Sequence, residues 1–273
     1  MAGSVDDDPP EAVRVVRRAT FNTDPTLYDR ARPGYPTALF DDLADISCVL
    51  PPARVLEIAP GTGKATQPLA ERGYQVTAVE LGAELAEFAR RKLAGFEHVR
   101  IVTAAFEEWP LPAEQFDLVA CAQAFHWLDP AVRLQKTAAA LRAGGSLAVF
   151  GHHHVAGGDR AFFDQVQRCY ERFMPGTPPG LTLPDPRTRP HEYATLFDGS
   201  VLFEPPVFRR YLWQQRYSTG EYLEVLSTYS GHIDLAPPNR EALFECIARL
   251  IETGYGGSIE KAYSTDLAIA RRR

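Results

Sequence analysis

The sequence predicts an α/β fold: a Rossmann-like, doubly wound, mostly parallel sheet of seven strands, with a helical cap inserted after strand five. Three observations predict it. Short apolar runs alternate with helical patterns between residues 53 and 152, a glycine-rich turn follows the first run, and two strand-like runs close the chain after an irregular segment. Strands that alternate with helices form parallel βαβ units with right-handed crossovers.

The predicted strands are short apolar runs, several of them rich in β-branched residues. They span residues 53–59, 75–80, 99–105, 116–122, 146–150, 207–217 and 258–270. Helical spacing of apolar side chains predicts helices over residues 64–72, 83–93, 130–142, 160–173, 218–229 and 240–252. Asp129 is expected to cap the third of these helices, and Gly73 and Gly95 follow the ends of the first two.

The stretch from about residue 155 to 200 is rich in proline and glycine around a single predicted helix. An irregular segment of this length inside a compact chain is often a functional cap. Because two later strands can extend the same sheet, we expect residues 20–273 to form one domain with this cap inserted. Residues 1–19, which are acidic and proline-rich at their start, are predicted to be a disordered tail.

Composition excludes several classes of protein. The formal net charge is −6, so the basic footprint of a nucleic-acid-binding protein is missing. No apolar run has the length of a membrane span, and the N-terminus lacks the pattern of a secretory signal. The four cysteines, Cys48, Cys121, Cys169 and Cys246, form no CxxC pair and are interpreted as reduced, mostly buried thiols of a cytoplasmic protein.

The turn over residues 57–64 reads EIAPGTGK and lies between a predicted strand and a predicted helix. A phosphate loop needs a glycine where Ile58 stands and a serine or threonine where Ala65 stands, so that class fails. A dinucleotide fingerprint starting at Gly61 meets Thr66 at its third glycine. The remaining pattern is acidic-x-small-x-Gly-x-Gly; an ordinary tight turn with a surface glutamate is the alternative.

Glu80 ends the second predicted strand, roughly twenty residues beyond the start of the turn. At that spacing in nucleotide-binding folds, an acidic side chain accepts hydrogen bonds from ribose hydroxyls. The turn and Glu80 together indicate a nucleotide-like ligand at the carboxyl edge of the sheet.

The turn resembles motif I of class I methyltransferases that use S-adenosylmethionine (SAM). Three further segments are similar to a small-molecule branch that includes trans-aconitate methyltransferases. They are YDRARPGYP at residues 28–36, QAFHW at residues 123–127 and LRAGGSL at residues 141–147. The resemblance covers about residues 20–152 and implies SAM as the cofactor.

The resemblance also implies which residues contact the cofactor. Those near its methionine part would be Glu57, Ala59, Gly61, Gly63 and Gln123. Those around its ribose and adenine would be Glu80, Leu81, Phe106 and Glu107, and Tyr28 and Arg32 would close over it from an N-terminal helix. This chain departs from the family at Ala59, where the first glycine is usual, and at Ala105, where many relatives have aspartate.

Candidate acceptor and catalytic residues follow strands four and five. His126 could deprotonate an acceptor, or only hydrogen-bond the cap or cofactor; Trp127 could line the acceptor pocket or the core. His152, His153 and His154 alternate in direction on an extended chain, so they cannot all bind one metal, and no metal site is predicted; His152 is expected to face the pocket.

Tyr222 and Tyr229 lie seven residues apart in a predicted helix, which would place them on one face. Core packing is the default interpretation and pocket lining the second; we include both as substrate-binding candidates.

The sequence therefore predicts transfer of a methyl group from SAM to an O, N or C atom of a small molecule, with secondary metabolism as one candidate setting. Two alternatives stay open: a SAM-binding protein that does not methylate, and, less favoured, an NAD(P)-dependent oxidoreductase. No membrane or nucleic-acid partner is expected. A homodimer is one option for the assembly.

Overall fold

The computed structural model describes residues 24–273, and the predicted tail at residues 1–19 lies outside them. The strands are β1 Arg54–Ile58, β2 Gln75–Glu80, β3 Val99–Thr103, β4 Phe116–Ala122, β5 Leu141–Gly158, β6 Val207–Ser218 and β7 Ser258–Arg271. The helices are α1 Pro25–Ala31, α2 Thr37–Ser47, α3 Thr66–Glu71, α4 Ala83–Lys92, α5 Arg133–Ala140, α6 Arg160–Phe173, α7 Thr219–Ser227, α8 Ser230–Ile233 and α9 Pro237–Gly254.

All seven strands form one sheet in the order β3-β2-β1-β4-β5-β7-β6. The pairings among β3, β2, β1, β4 and β5 are parallel, whereas β7 is antiparallel to both β5 and β6. A single reversed strand therefore lies between two that run with the parallel set. The predicted mostly parallel, doubly wound sheet of seven strands is confirmed.

Both faces of the sheet are covered, which explains the nearly unbroken apolar character of its central strand β4. On one face, Leu56 and Val119 pack in a cluster that also contains Ala138 of α5. On the other, Val55 and Leu118 pack with Leu39 of α2. Side chains alternate between the two faces along each strand. The parallel pairing of β1 with β4 places their carboxyl ends side by side at one edge of the sheet.

Strand β5 is much longer than predicted. The sequence pattern indicates a strand that ends at Phe150, but β5 continues to Gly158. Pairing with β7 supplies the hydrogen bonds for this extension, with His152 opposite Thr265 and His154 opposite Tyr263. The three histidines therefore lie within a strand, not after one. The sequence GHHHVAG over residues 151–157 has no alternation of apolar and polar residues, so periodicity could not reveal the extension.

The helix predicted to start at residue 130 begins at Arg133, with Val132 at its N-cap position. Asp129 was expected to cap this helix, and that expectation is wrong. Its carboxylate instead accepts the Ala131 N–H at 2.9 Å, and its backbone carbonyl accepts the Arg133 N–H at 2.8 Å. Asp129 thus closes the turn before the helix, a role that aspartate side chains often take.

A helical cap follows β5, as predicted. Its core joins Phe162 and Val166 of α6 to Val225 of α7 and Ile247 of α9, so the cap draws on helices from both sides of β6. We use the term cap helices for α6, α7 and α9. Part of the irregular segment packs elsewhere: residues 193–203 contribute aromatic side chains to the opposite face of the sheet.

A disulfide joins Cys169 of α6 to Cys246 of α9. The expectation that all four cysteines are reduced thiols is therefore wrong, although Cys48 and Cys121 are free. Packing of α6 against α9 brings two positions 77 residues apart in sequence to a Cα–Cα distance of 5.9 Å. Spacing along the chain carries no signal for a pairing that tertiary packing creates.

The longest described helix, α9, has 18 residues. Among the helices of residues 24–273, none combines the length and the apolar character that crossing a bilayer requires.

A buried ion cluster fastens the segment after α6 to the sheet. Asp266 of β7 has no exposed surface, and Arg210 of β6 donates to its two oxygens at 2.7 and 2.9 Å. Arg189 also pairs with Asp266, and the Glu192 N–H donates to it at 2.9 Å. Burial alone would raise the pKa of Asp266, but these hydrogen bonds and the nearby His191 and Arg189 hold it well below its usual range.

We predict that Asp266→Asn lowers the free energy of unfolding by about 3 kcal/mol at pH 7, because two arginines then lose their buried counter-charge. The pKa of Asp266 is depressed, so its contribution is complete above pH 4 and is lost on acidification. Urea unfolding at several pH values should show the penalty shrinking below pH 4. Glu114→Gln is the control: Glu114 pairs with Arg54 but is 80% exposed, so a change within about 1 kcal/mol is expected.

Candidate active site

The glycine-rich turn follows β1, and Gln123 follows the adjacent strand β4. In the turn, Ala59, Gly61 and Gly63 have φ angles of 53°, 60° and 82°, and Gln123 has a φ of 56°. Two residues with side chains, Ala59 and Gln123, therefore adopt the left-handed conformation that favours glycine. Such conformations cluster at functional sites, where surrounding contacts hold the backbone in place.

Glu57 lies at the end of β1 and is fully buried. Neither of its carboxyl oxygens has a hydrogen-bond partner among the described residues. Burial raises its pKa to about 8; the nearby Glu80 carboxylate adds to the rise, and the Thr66 hydroxyl opposes it only in part. A buried carboxyl without a partner is costly, so this position is suited to a ligand that carries positive charge.

Glu80 ends β2, and each of its carboxylate oxygens accepts a backbone N–H, one of them from the turn. One oxygen accepts the Gly61 N–H at 2.9 Å and the other accepts the Gly82 N–H at 2.8 Å. Leu81, next in the chain, is 42% exposed. The predicted ribose-binding glutamate is therefore at the mouth of the turn, with an exposed apolar side chain beside it.

Helix α1 lies across the turn. Lys64 of the turn donates to the backbone carbonyl of Asp29 at 2.6 Å, and Lys92 of α4 donates to the Asp29 carboxylate at 2.7 Å. Sequence reasoning named Tyr28 and Arg32 on this helix but missed Asp29 and Lys92. The lysine that follows the turn glycines was the available signal, since a cation there needs an acceptor.

Arg32 connects α1 to the cap side of the molecule. Its Nε donates to the Thr228 hydroxyl at 2.7 Å and its Nη2 donates to the Thr228 carbonyl at 3.0 Å. The guanidinium lies 4.1 Å from the ring centroid of Tyr229 and 5.4 Å from that of Tyr28. The structure thus brings together Tyr28, Arg32 and Tyr229, although sequence reasoning had divided them between cofactor and acceptor.

Phe106 and Glu107 follow β3 and face the start of α5. Phe106 is buried, and its ring centroid lies 5.5 Å from the Lys136 ammonium. Lys136 donates to the Glu107 carbonyl at 2.8 Å, and the Glu107 carboxylate accepts the Asp129 N–H at 3.3 Å. These contacts fix the loop that the resemblance assigns to adenine.

Gln123, His126 and Trp127 lie together after β4. The Gln123 N–H donates to the Phe150 carbonyl at 2.8 Å. His126 and Trp127 belong to a short 3-10 turn, are half-buried, and have ring centroids 4.6 Å apart. Beside them, a Cβ at Gly151 would lie 2.8 Å from the Tyr193 hydroxyl, so only glycine fits there without a shift.

The histidines of β5 face opposite sides of the sheet, as their alternation predicts. His152 stacks on Tyr35 at 4.4 Å and its Nδ1 lies 2.8 Å from the Thr265 hydroxyl. His154 lies on the same face, 5.4 Å from Tyr229, whereas His153 faces Glu192 across 3.4 Å on the other. Burial lowers the pKa of His152 to about 3, so it is neutral at physiological pH. Within residues 24–273 no three histidine, cysteine, aspartate or glutamate side chains are gathered to hold a metal ion.

Tyr222 and Tyr229 do not share a helical face. Helix α7 ends at Ser227, and Tyr229 precedes α8. Tyr222 is buried in the cap core, 5.8 Å from Phe162, which matches the core-packing interpretation. Tyr229 lies beside Arg32 at the boundary of cap and α1, which is the better position for pocket lining.

Comparison with known proteins identifies the central part of the chain. The family described as "Methyltransferase domain" matches residues 56–149. This segment includes the turn and the strands that position it. Residues 56–149 form a class I methyltransferase domain. The predicted family is confirmed; the resemblance to the trans-aconitate branch stays a prediction. SAM is the methyl donor that this class of domain uses. The prediction of SAM as the cofactor is therefore confirmed for the domain over residues 56–149.

Relatives of the methyltransferase domain support the assignment. An uncharacterized methyltransferase of Mycobacterium tuberculosis (strain H37Rv) is 39% identical over 132 residues, which are 48% of this chain and 51% of the relative. The match thus spans about half of that relative's length.

Two solved structures share the fold. A structure assigned as a type II methyltransferase from Anaeromyxobacter dehalogenans has a TM-score of 0.60 at 22% identity, over 89% of this chain and 97% of that one. Phosphoethanolamine N-methyltransferase 2 of Haemonchus contortus, in complex with phosphomonomethylethanolamine and S-adenosylhomocysteine, has a TM-score of 0.53 at 15% identity, over 96% of this chain and 60% of that one.

We predict that Ala59→Gly stabilises the protein by about 0.5–1 kcal/mol. Relief of the left-handed alanine, worth about 1–2 kcal/mol, exceeds the added flexibility of glycine in the unfolded chain. Ala65→Gly is the matched control, because Ala65 has an ordinary φ of −96° and is buried, so the same change should destabilise by about 1 kcal/mol. Denaturant unfolding measures both; loss of stability in both variants would contradict the strain at Ala59.

Proposed function

We propose that this chain transfers a methyl group from SAM to an O, N or C atom of a small-molecule acceptor. The observation that carries the proposal is the buried, unpartnered carboxyl of Glu57 beside the glycine-rich turn of a methyltransferase domain. SAM carries an ammonium and a sulfonium, and a cation is what this carboxyl lacks. The other half of the turn also suits a ligand, since a Cβ at Gly61 would meet no atom within 4 Å.

The residues that would hold SAM form two groups. The first group is Glu57, Ala59, Gly61, Gly63 and Gln123, which lie at or just after the carboxyl ends of β1 and β4. The second group is Tyr28 of α1 with Arg32 just after it, Glu80 and Leu81 at the end of β2, and Phe106 and Glu107 after β3. When bound, SAM supplies a methyl group that is already activated toward displacement.

The protein's own part is to align the acceptor, exclude water and accept a proton where the acceptor must lose one. The half-buried His126 lies after β4, where the acceptor would meet the cofactor, and we propose it as the general base. Trp127, His152 and Tyr229 are proposed to line the acceptor pocket, with Tyr222 behind them supporting the cap. Helix α1 would close the site, because it is fixed both to the turn through Asp29 and to the cap through Arg30 and Glu224.

Cytoplasmic location, a homodimer and a role in secondary metabolism remain predictions. The disulfide between Cys169 and Cys246 removes the cysteine argument for a reducing compartment. The alternative is a SAM-binding protein that does not methylate. Detection of methyl transfer would exclude this alternative, and SAM binding without methyl transfer would support it.

Calorimetric titration with SAM and S-adenosylhomocysteine tests the cofactor site. We expect micromolar binding, with release of a proton near pH 7, because Glu57 is mostly protonated in the free protein and a cation favours its ionised form. Comparing binding enthalpies in buffers of different ionisation enthalpy measures this proton. Glu57→Gln should abolish the release and weaken binding about 10–100-fold, whereas Glu71→Gln, on the exposed side of α3, should change neither. Absence of binding by both compounds would refute the proposal.

Glu57→Gln should weaken SAM binding but increase the stability of the free protein at high pH. Because the pKa of Glu57 is raised to about 8, the native state binds the extra proton between about pH 4.5 and 8, and stability falls as pH rises through that window. Glu57→Gln removes this loss. In urea unfolding we expect the variant to gain about 4 kcal/mol of stability over the natural protein between pH 5, where the two differ least, and pH 9.

For His126 we predict that His126→Ala lowers methyl-transfer turnover at least about 100-fold while SAM affinity changes less than about 3-fold. Turnover is followed by release of S-adenosylhomocysteine with a methylated acceptor, and affinity by calorimetry. Trp127→Phe, which keeps an aromatic wall, is the comparison. Equal losses of turnover and affinity in His126→Ala would assign the ring a structural role.

A further inference from the structure

Lys261 lies on β7 beneath the cap helices, with only 4% of its surface exposed. It pairs with Gly158 at the end of the extended β5 and with Gln215 of β6. A lysine in the middle of a sheet and under a helical cap is unusual, because lysine is almost never fully buried unless it is paired.

The ammonium of Lys261 contacts aromatic rings and no carboxylate. It lies 4.4 Å from the ring centroid of Phe163 on α6 and 5.4 Å from that of Tyr263. Across the described part of the chain, no carboxylate lies within ion-pair distance of it. Asp159, which follows Gly158 opposite Lys261, accepts the Glu260 N–H at 2.7 Å. Burial lowers the pKa of Lys261 to about 7, and no carboxylate acts to raise it.

A row of polar side chains connects Lys261 to the cofactor edge of the sheet. On the same face of β7 stand Tyr263 and Thr265, and opposite them on β5 stand His154 and His152. Lys261 and Thr265 are four positions apart along β7, which corresponds to about 13 Å of extended strand. His152 Nε2 and His154 Nδ1 are buried without hydrogen-bond partners. Unpartnered neutral imidazoles can donate to or accept from a ligand that lies along the row.

We propose that the methyl acceptor is an elongated molecule with a carboxylate at the end remote from the methylated atom, and that the Lys261 ammonium binds this carboxylate. The inference rests on the proposed methyltransferase function and extends it to the class of substrate. The methylated end would lie near Gln123 and His126, the middle along His152 and His154, and the carboxylate under Phe163.

The charge of Lys261 favours a carboxylate. An unpaired buried ammonium repels a cationic ligand and gains little from a neutral one. Two other cations near this row already have acceptors, because Arg32 donates to Thr228 and Lys64 donates to the Asp29 carbonyl. Lys261 is therefore the group best placed to neutralise an anion. Phe163 and Tyr263 wall the position, which suits one small negative charge better than the two charges and three oxygens of a phosphate monoester.

The test uses the full chain loaded with S-adenosylhomocysteine and a series of probes: phenylacetate, 4-phenylbutyrate and 6-phenylhexanoate, each compared with its primary amide. Calorimetry should show a carboxylate bound at least 10-fold more tightly than its amide, with the largest ratio at the chain length that spans the row. In Lys261→Met the ratio should fall to about 1, and in Lys261→Arg it should be partly retained. Arg249→Met, which removes an exposed cation from α9, should leave the ratio unchanged.

Several outcomes would overturn the inference: equal binding of carboxylate and amide, a preference that survives Lys261→Met, or tighter binding of phenyl phosphate than of any carboxylate. If Lys261→Met does not fold, nuclear magnetic resonance of the lysine side chains in the natural protein replaces it. Addition of the carboxylate probe should then shift the Lys261 ammonium signal, and an unshifted signal refutes the contact. Failure to bind S-adenosylhomocysteine would refute the proposed function, whereas its binding without carboxylate preference refutes only this extension.

Discussion

The long antiparallel pairing of β5 with β7 is the constraint on which both halves of the molecule depend. Its first part, from Ser146 opposite Arg271 to Phe150 opposite Leu267, completes the sheet that carries the glycine-rich turn. Its second part extends beyond the edge where the parallel strands end and forms the floor beneath the cap helices. Because one continuous ladder serves both, the acceptor side of the site is built on the same backbone as the cofactor side.

The sheet contains two kinds of buried ionisable side chain, those with a partner of opposite charge and those without one. On one face Asp266 is neutralised by Arg189 and Arg210, and this cluster holds an irregular segment in place. Among the described residues, the carboxyl of Glu57 has no hydrogen-bond partner, and Lys261 contacts the rings of Phe163 and Tyr263. A buried ionisable group without a partner either costs stability in its charged form or shifts its pKa toward the neutral form, as Glu57 does. Asp266, which is paired with arginines, therefore maintains the fold, whereas Glu57 and Lys261 are suited to binding ligands.

Much of the fold could be predicted from local pattern. Strands β2 and β4 match their predicted bounds, because a central parallel strand is apolar on both faces and glycine or turn residues mark its ends. The extension of β5 could not be predicted, since its pairing partner lies more than a hundred residues later. The disulfide and the Asp266 cluster depend in the same way on contacts distant in sequence. For the site, the pattern located Glu57 and Glu80, but only the structure shows that the first lacks a partner and that the second holds the turn.

The link between Cys169 and Cys246 has a consequence for how the protein is handled. It closes a covalent ring that contains β6, α7, α8 and part of α9, while residues 24–168 carry no cross-link among themselves. For a ring of this size, chain entropy stabilises the oxidised protein by about 4–5 kcal/mol. Reducing agents in a purification buffer would remove that contribution from the ring and the cap it includes, and leave the cofactor half of the sheet covalently unchanged. The redox state of the sample thus decides which form of the acceptor side an assay observes.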